Sequence, residues 1–176
     1  IIRGIKMNQN LDGSLGWIDE QWGQLDQLKI PITDRGLNLG DGIFETLLIY
    51  GGQIHLLEKH LQRWEKSAAL LRMAPPPSKN WLLPLISEAI QRCSLPKGNG
   101  ALRLNWSRGD RLTRGLTVDP TTDKLSKHRF WLEITPFDPS FDALSTILSQ
   151  YEKRNANSIH SKCKTFSYGQ SIQAKY

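Results

Sequence analysis

Apolar positions change their spacing along the chain, and each change predicts an element. Ile43-Phe44-Glu45-Thr46-Leu47-Leu48-Ile49-Tyr50 is a nearly continuous apolar run rich in β-branched and aromatic residues, the signature of a largely buried strand. Gly51-Gly52 follows as a two-residue hairpin signal, with Gln53 to Leu57 as the return strand. From Glu58 the period becomes helical. Leu57, Leu61, Trp64, Ala68 and Leu71 form one stripe, and Glu58, Lys59, Gln62, Arg63, Glu65 and Lys66 take the other faces. Pro75-Pro76-Pro77 stops that helix. A second helix is expected from Asn80 to Cys93, with Leu82, Leu85, Ile86, Ala89 and Ile90 on its apolar side. Pro84 is expected in its first turn, where amides have no intrahelical partner.

Beyond the turn Lys97 to Gly100, Leu102, Leu104 and Trp106 alternate with Arg103 and Asn105, predicting a half-buried strand. Ser107 to Lys127 is polar and predicts a long loop, a feature usually tied to function or mobility. His128 to Thr135 predicts another strand, Pro136 to Ser140 a linker, Leu144 to Gln150 a strand, and Tyr168 a helix start. Residues 1 to 30 are polar and punctuated by glycine, and predict short strands and turns. Pro31 to Asp34 leads into a glycine-rich loop, Gly36 to Gly42, where the backbone turns tightly. The order strand-strand-helix-helix-strand-strand implies an α+β first domain, residues 1–135, followed by a linker at 136–142 and a second domain beginning at 143–176.

Composition narrows the functional classes. The 176 residues are 39% hydrophobic with mean hydropathy −0.43, and no apolar run approaches the ~18 residues of a membrane span. Residues 1–10 lack the apolar core of a secretory signal; the chain opens without Met and Met7 follows, as at a fragment edge or imperfect start. Cys93 and Cys163 are too few and too far apart for a disulfide framework, and the four histidines show no ligand spacing, so no metal site is expected. Reduced thiols point to the cytoplasm. The net charge of +6 is dispersed, without a run of five like charges, which argues against a nucleic-acid tail. The glycine-rich loop is neither a Walker A nor a Rossmann fingerprint. A non-catalytic basic binding module remains the competing class, since six Trp and scattered arginines could serve a nucleic-acid surface.

Three stretches carry candidate chemistry. The first is His160-Ser161-Lys162-Cys163-Lys164-Thr165-Phe166-Ser167-Tyr168. A lysine forms a Schiff base only through its neutral amine, and two lysines lie here two residues apart; in an extended segment they face the same way, so geometry does not choose between them. The second is Arg63 in His60-Leu61-Gln62-Arg63, whose guanidinium suits a phosphate through paired hydrogen bonds. The third is the loop Ser107 to Gly115, where Arg108, Arg111 and Arg114 make a plausible carboxylate clamp.

Together, Asp34 to Thr46, the His-Leu-x-Arg helix and the late lysine resemble the class-IV aminotransferase family, the pyridoxal-phosphate (PLP) fold-type IV proteins. The resemblance runs from Pro31 to the end of the chain. It implies a mixed α/β N-terminal domain and the start of a β-rich second one. It selects Lys164 over Lys162 as the residue carrying PLP as a Schiff base and acting as the catalytic base. It implies Arg63 against the cofactor phosphate, Tyr168 near the phenolic oxygen, Phe44 facing substrate, and Arg108 and Arg114 as substrate ligands. Asp34, Arg35, Gly40, Asp41, Gly42 and Glu45 match as scaffold of the site wall and dimer contact. The implied partners are an amino acid or keto acid and a second copy of the chain.

The loop with two Arg-Gly pairs is most like the aminodeoxychorismate lyase branch. Leu116 stands where the D-amino-acid aminotransferase branch has His, and Arg103-Leu104 where the branched-chain branch usually has Arg-Pro. The resemblance as a whole implies a class-IV aminotransferase in the broad sense, with pyruvate elimination from 4-amino-4-deoxychorismate as the close alternative. Family members run beyond the lysine to supply the pyridine-nitrogen carboxylate and further phosphate contacts, so the natural protein is expected to be longer.

Overall fold

Alternation along β5 (Gly100–Ser107) sets up the two faces of the molecule. Leu102 and Leu104 are fully buried on one side, and Arg103 and Asn105 lie on the other. The computed structural model describes residues 11–111, 116, 118, 127–143, 150, 153 and 155–174. Strands β1 (Leu15–Ile18), β2 (Gln21–Gln24), β3 (Gly42–Tyr50), β4 (Gln53–Ile54), β5 and β6 (Arg129–Pro136) form one antiparallel sheet in the order β2-β1-β6-β5-β3-β4. Helices α2 (Leu57–Leu70) and α3 (Lys79–Arg92) supply the apolar cover for one face. The expected α+β architecture is what the chain adopts.

On the covered face, Ile43, Leu47 and Ile49 of β3 pack with Leu102, Leu104, Leu132 and Ile134 of the neighbouring strands. Leu61, Trp64 and Ala68 of α2 and Leu82, Ile86 and Ala89 of α3 close over them, the same stripes that the helical period marks. Burying each large aliphatic side chain contributes about 1.5–3 kcal/mol, so this face holds the domain together. The hairpin turn at Gly51 and Gly52 has φ of 56° and 75°, a mirror-image turn that glycine adopts without strain.

Several expectations need correction. The return strand is only Gln53–Ile54, because Leu56 enters the left-handed region (φ 56°) and α2 starts at Leu57. The first helix ends at Leu70, before the three prolines. Ser78 caps α3, which places Pro84 inside the helix rather than in its first turn. Pro84 is exposed, so water can take the carbonyl that its missing amide leaves free. The segment read as a glycine loop contains a five-residue helix, α1 (Arg35–Leu39). Asp34 caps it through an acceptor bond from the Leu37 amide, and Gly40 ends it at φ 66°. The strand expected over 144–150 falls almost wholly outside the described residues. Near the end of the chain lie two short helices, α4 (Ile159–Lys162) and α5 (Gly169–Gln173), the latter beginning directly after Tyr168 as the sequence predicts.

Candidate active site

The first half of β3 is paired with β5 on one side only; β4 reaches no further than Ile49 and Tyr50. Residues 164–166 dock on the open edge. The Phe44 amide donates to the Lys164 carbonyl (2.9 Å), the Phe166 amide donates to the Gly42 carbonyl (3.0 Å), and Ile43 and Thr165 form an antiparallel bridge. A side chain at position 42 would overlap the Phe166 ring, so this close approach depends on glycine. The segments bearing the lysine and the Gly-Asp-Gly strand, more than a hundred residues apart in sequence, are thus hydrogen-bonded neighbours.

Three predicted site residues meet at this junction. The Lys164 Nζ lies 3.5 Å from the Tyr168 hydroxyl and 4.4 Å from the centroid of the Phe44 ring. Phe44 also contacts Tyr168, with ring centroids 5.4 Å apart. Lys164 is half-buried and lines a cavity of about 310 Å³ with Tyr168, His160, Ser161 and Ser167. Lys162 is exposed, at the last position of α4, and Cys163 between the two lysines is extended. Between them the Cys163 thiol is buried 4.0 Å from the Ser67 carbonyl, and burial pushes its pKa up.

Arg63 lies on the covered face. Its Nε donates to Glu45 Oε1 at 2.7 Å and its Nη2 donates to Oε2, a two-pronged grip on a carboxylate that is fully buried. His60 Nδ1 lies 2.8 Å from the same Oε2. The hydrogen bond to Glu45 pushes the guanidinium above its ordinary pKa. About half of the Arg63 side chain stays exposed, which leaves donors for an anion.

Arg108 is placed differently from Arg63. Its Nε donates to both oxygens of Asp41 (3.2 and 3.0 Å), Nη1 to the Arg72 carbonyl (3.0 Å) and Nη2 to the Leu71 carbonyl (2.8 Å). The residue is 6% exposed. It closes the C-terminal end of α2, where carbonyls lack helical partners. Nearby, Arg35 also holds Asp41 (2.8 Å), and Arg129 joins Asp34 (2.7 Å) to Asp110 (2.9 Å). These pairs fasten the start of the long loop to the capped helix α1. Arg114 lies outside the described residues. Among the described residues no group of three potential metal ligands occurs.

The sequence pattern of amino-transferase class IV proteins matches residues 42–176. The chain belongs to the class IV aminotransferase family. A bifunctional aminodeoxychorismate lyase / D-amino acid transaminase of Mycobacterium tuberculosis is 44% identical over 91 residues, 49% of this chain and 31% of that protein. A PLP-bound hypothetical aminotransferase from Mycobacterium tuberculosis superposes with a TM-score of 0.57 at 28% identity, over 70% of this chain and 40% of that one. The branched-chain amino acid aminotransferase of Escherichia coli shares the fold, with a TM-score of 0.68 at 17% identity, over 90% of this chain and 53% of its own. The chain therefore spans about a third to a half of these relatives.

The class IV chain has a further group of residues that sequence reasoning did not select. On the sheet face opposite α2 and α3, Phe44, Arg103, Asn105, Trp131, Glu133 and Phe166 line a cavity of about 380 Å³, with Tyr168 at its border. The Arg103 guanidinium lies 3.7 Å from the Phe44 centroid, and its Nε donates to Asn105 Oδ1 at 2.8 Å. Burial pulls its pKa below the ordinary arginine value, against the opposing pull of Glu133 and Tyr168. The available signal was the alternation itself: Arg103 and Asn105 occupy the polar phase of β5. Read locally, that phase means solvent. Here the segments 25–30 and 164–168 approach the same face.

Proposed function

We propose that this chain forms the N-terminal domain and cofactor-lysine segment of a PLP-dependent enzyme that transfers the amino group of an amino acid. The observation that carries this reading is Lys164, half-buried beside the Tyr168 hydroxyl on the Phe44 ring and lining a cavity of about 310 Å³. That volume falls at the lower end of the roughly 300–1,000 Å³ typical of small-molecule sites. Its lining of hydroxyl, imidazole and amine groups suits a polar phosphorylated aldehyde. Lys164 Nζ would hold PLP, Tyr168 Oη would bond near it, and the exposed prong of Arg63 would take the phosphate. When bound, PLP supplies an electron sink for charge developing at the substrate α-carbon.

The protein's own groups then divide the work. Lys164 Nζ accepts the α-proton and returns it, a role for which a mobile amine at hydrogen-bonding distance is suited. Tyr168 Oη keeps that amine oriented. Arg103, anchored through Nε to Asn105, presents its remaining donors to a substrate carboxylate in the adjoining cavity. Glu45 holds Arg63 in place, and Phe44 lines the adjoining cavity with its ring against Lys164. Arg108 is proposed as a positioning residue: its bonds to Asp41 and the end of α2 fasten the loop that also carries Arg114. A homodimer and a cytoplasmic location complete the reading. Among the described residues no helix is long and apolar enough to cross a membrane.

The 44% identity to a relative whose name includes aminodeoxychorismate lyase favours a second reading, elimination of pyruvate from 4-amino-4-deoxychorismate. Incubating the full-length, PLP-loaded protein with amino donors and keto acids, and separately with 4-amino-4-deoxychorismate, tests both. A new amino acid marks transfer; pyruvate with 4-aminobenzoate marks elimination. A loaded protein that performs neither reaction contradicts the proposal.

A further inference from the structure

We infer that Glu133 is a specificity-determining residue, held by Asn105 and Trp131 so that its second oxygen accepts a hydrogen bond from a donor at the end of the substrate's side chain. The inference rests on the proposed amino-acid chemistry and adds to it the class of side chain that the site selects.

Glu133 of β6 lies directly opposite Arg103 of β5, so both project from the open face. Arg103 Nε donates to Asn105 Oδ1 (2.8 Å), which fixes the orientation of that amide and turns its Nδ2 towards Glu133 (3.1 Å to Oε1). Asn105 is 1% exposed, so this orientation is enforced by packing as well. Trp131 Nε1 donates to the same Oε1, also at 3.1 Å. Two donors therefore converge on one carboxylate oxygen. Among the described residues Oε2 has no hydrogen-bond donor, although the side chain is only half-exposed and lines the cavity of about 380 Å³. A partly buried carboxylate oxygen gains most from a donor delivered by a ligand.

A second cavity adjoins Glu133 on the β1 side, away from β5 and the lysine segment. It measures about 250 Å³ and is walled by Ile18, Leu25 and Leu28, with Ile30, Trp131 and Glu133 shared between the two cavities. Glu133 is the one charged group among its lining residues. A side chain with an apolar stem over the Phe44 and Phe166 rings and a hydroxyl, amide or ammonium end at Glu133 fits this arrangement. A purely aliphatic side chain would strip water from Glu133 without replacing it, and a carboxylate end would meet a like charge.

The test uses the full-length protein loaded with PLP. Half-reaction kcat/KM is measured for ornithine, glutamine, norleucine and glutamate, each as both enantiomers. The donor-ended substrates are expected to exceed norleucine by roughly 10- to 100-fold, the worth of a hydrogen bond to a charged group. Glu133→Gln retains an Oε1 acceptor for Asn105 and Trp131 but turns a donor towards the cavity. It should erase that preference and raise glutamate at least several-fold. Glu133→Leu should raise norleucine, and thermal melting checks that each variant folds. Calorimetric titration of the same amino acids into cofactor-free protein reads the subsite without turnover. Donor selectivity in binding that Glu133→Gln abolishes, in a protein with no transfer activity, would sink the aminotransferase reading and uphold Glu133. Equal selectivity in wild type and Glu133→Gln, in both assays, overturns the inference.

Discussion

Phe44 holds Lys164 at both ends: its amide donates to the Lys164 carbonyl across 2.9 Å, and its ring lies 4.4 Å from the Lys164 Nζ. The strand that carries Phe44 is anchored by a full ladder to β5 on its other side. The lysine therefore takes its position from the rigid sheet rather than from the short helices that flank it in sequence. The backbone of Lys164 is thereby fixed while its side chain keeps the freedom of its own torsions, which suits the base proposed above.

Gly42→Ala tests this docking. The new methyl group would overlap the Phe166 ring, while the β3–β5 ladder is untouched. Overpacking of this kind costs about 1–3 kcal/mol. The expected result in the full-length protein is a modest fall in the denaturant midpoint and a larger fall in PLP affinity. Unchanged PLP uptake would show that the contact between the strand and the lysine segment does not position the amine.

Arg108→Ala separates a structural arginine from a substrate clamp. Removing the guanidinium frees the carbonyls of Leu71 and Arg72 and one partner of Asp41. Losing one member of a buried pair costs about 3–5 kcal/mol. Arg35 still holds Asp41, which places the expected loss near the lower figure. Chemical denaturation should detect it. A raised KM with unchanged stability would instead restore the carboxylate clamp suggested by the loop's sequence.

Asp110 gives the structure a defined acid sensitivity. The hydrogen bond from Arg129, aided by one from Thr33, holds its pKa below the ordinary aspartate value despite partial burial. A lowered folded pKa means that the stabilisation is complete above the unfolded value near 3.8 and is lost as pH falls through the lowered folded value. Asp110→Asn should therefore lose less stability than wild type between about pH 5 and 2. The side chain is 41% exposed, so added salt should shrink the difference. Identical acid-unfolding curves for the two proteins would contradict the assignment.

Much of the scaffold was legible because its signals are local. The hairpin glycines, the stripes of α2 and α3 and the alternation of β5 each reflect neighbours in sequence. What sequence reasoning missed depends on distant segments. Arg103 and Asn105 read as a solvent-facing phase, yet Asn105 is nearly inaccessible because the segments 25–30 and 164–168 converge on that face. Arg108 reads as a free loop arginine, and only the fold brings the end of α2 and Asp41 to it. The five-residue α1 is too short to show a helical period; its signals are the Asp34 cap and the left-handed Gly40. The resemblance selected Lys164 over Lys162, which the fold leaves exposed at the end of α4 while Lys164 is half-buried.

The most direct measurement is to load the full-length protein with PLP, reduce it with borohydride and map the modified peptide by mass. One labelled lysine is expected, Lys164, with the visible band of bound PLP lost in Lys164→Ala and kept in Lys162→Ala. A label on Lys162, or no band and no label on the full-length protein, would contradict it.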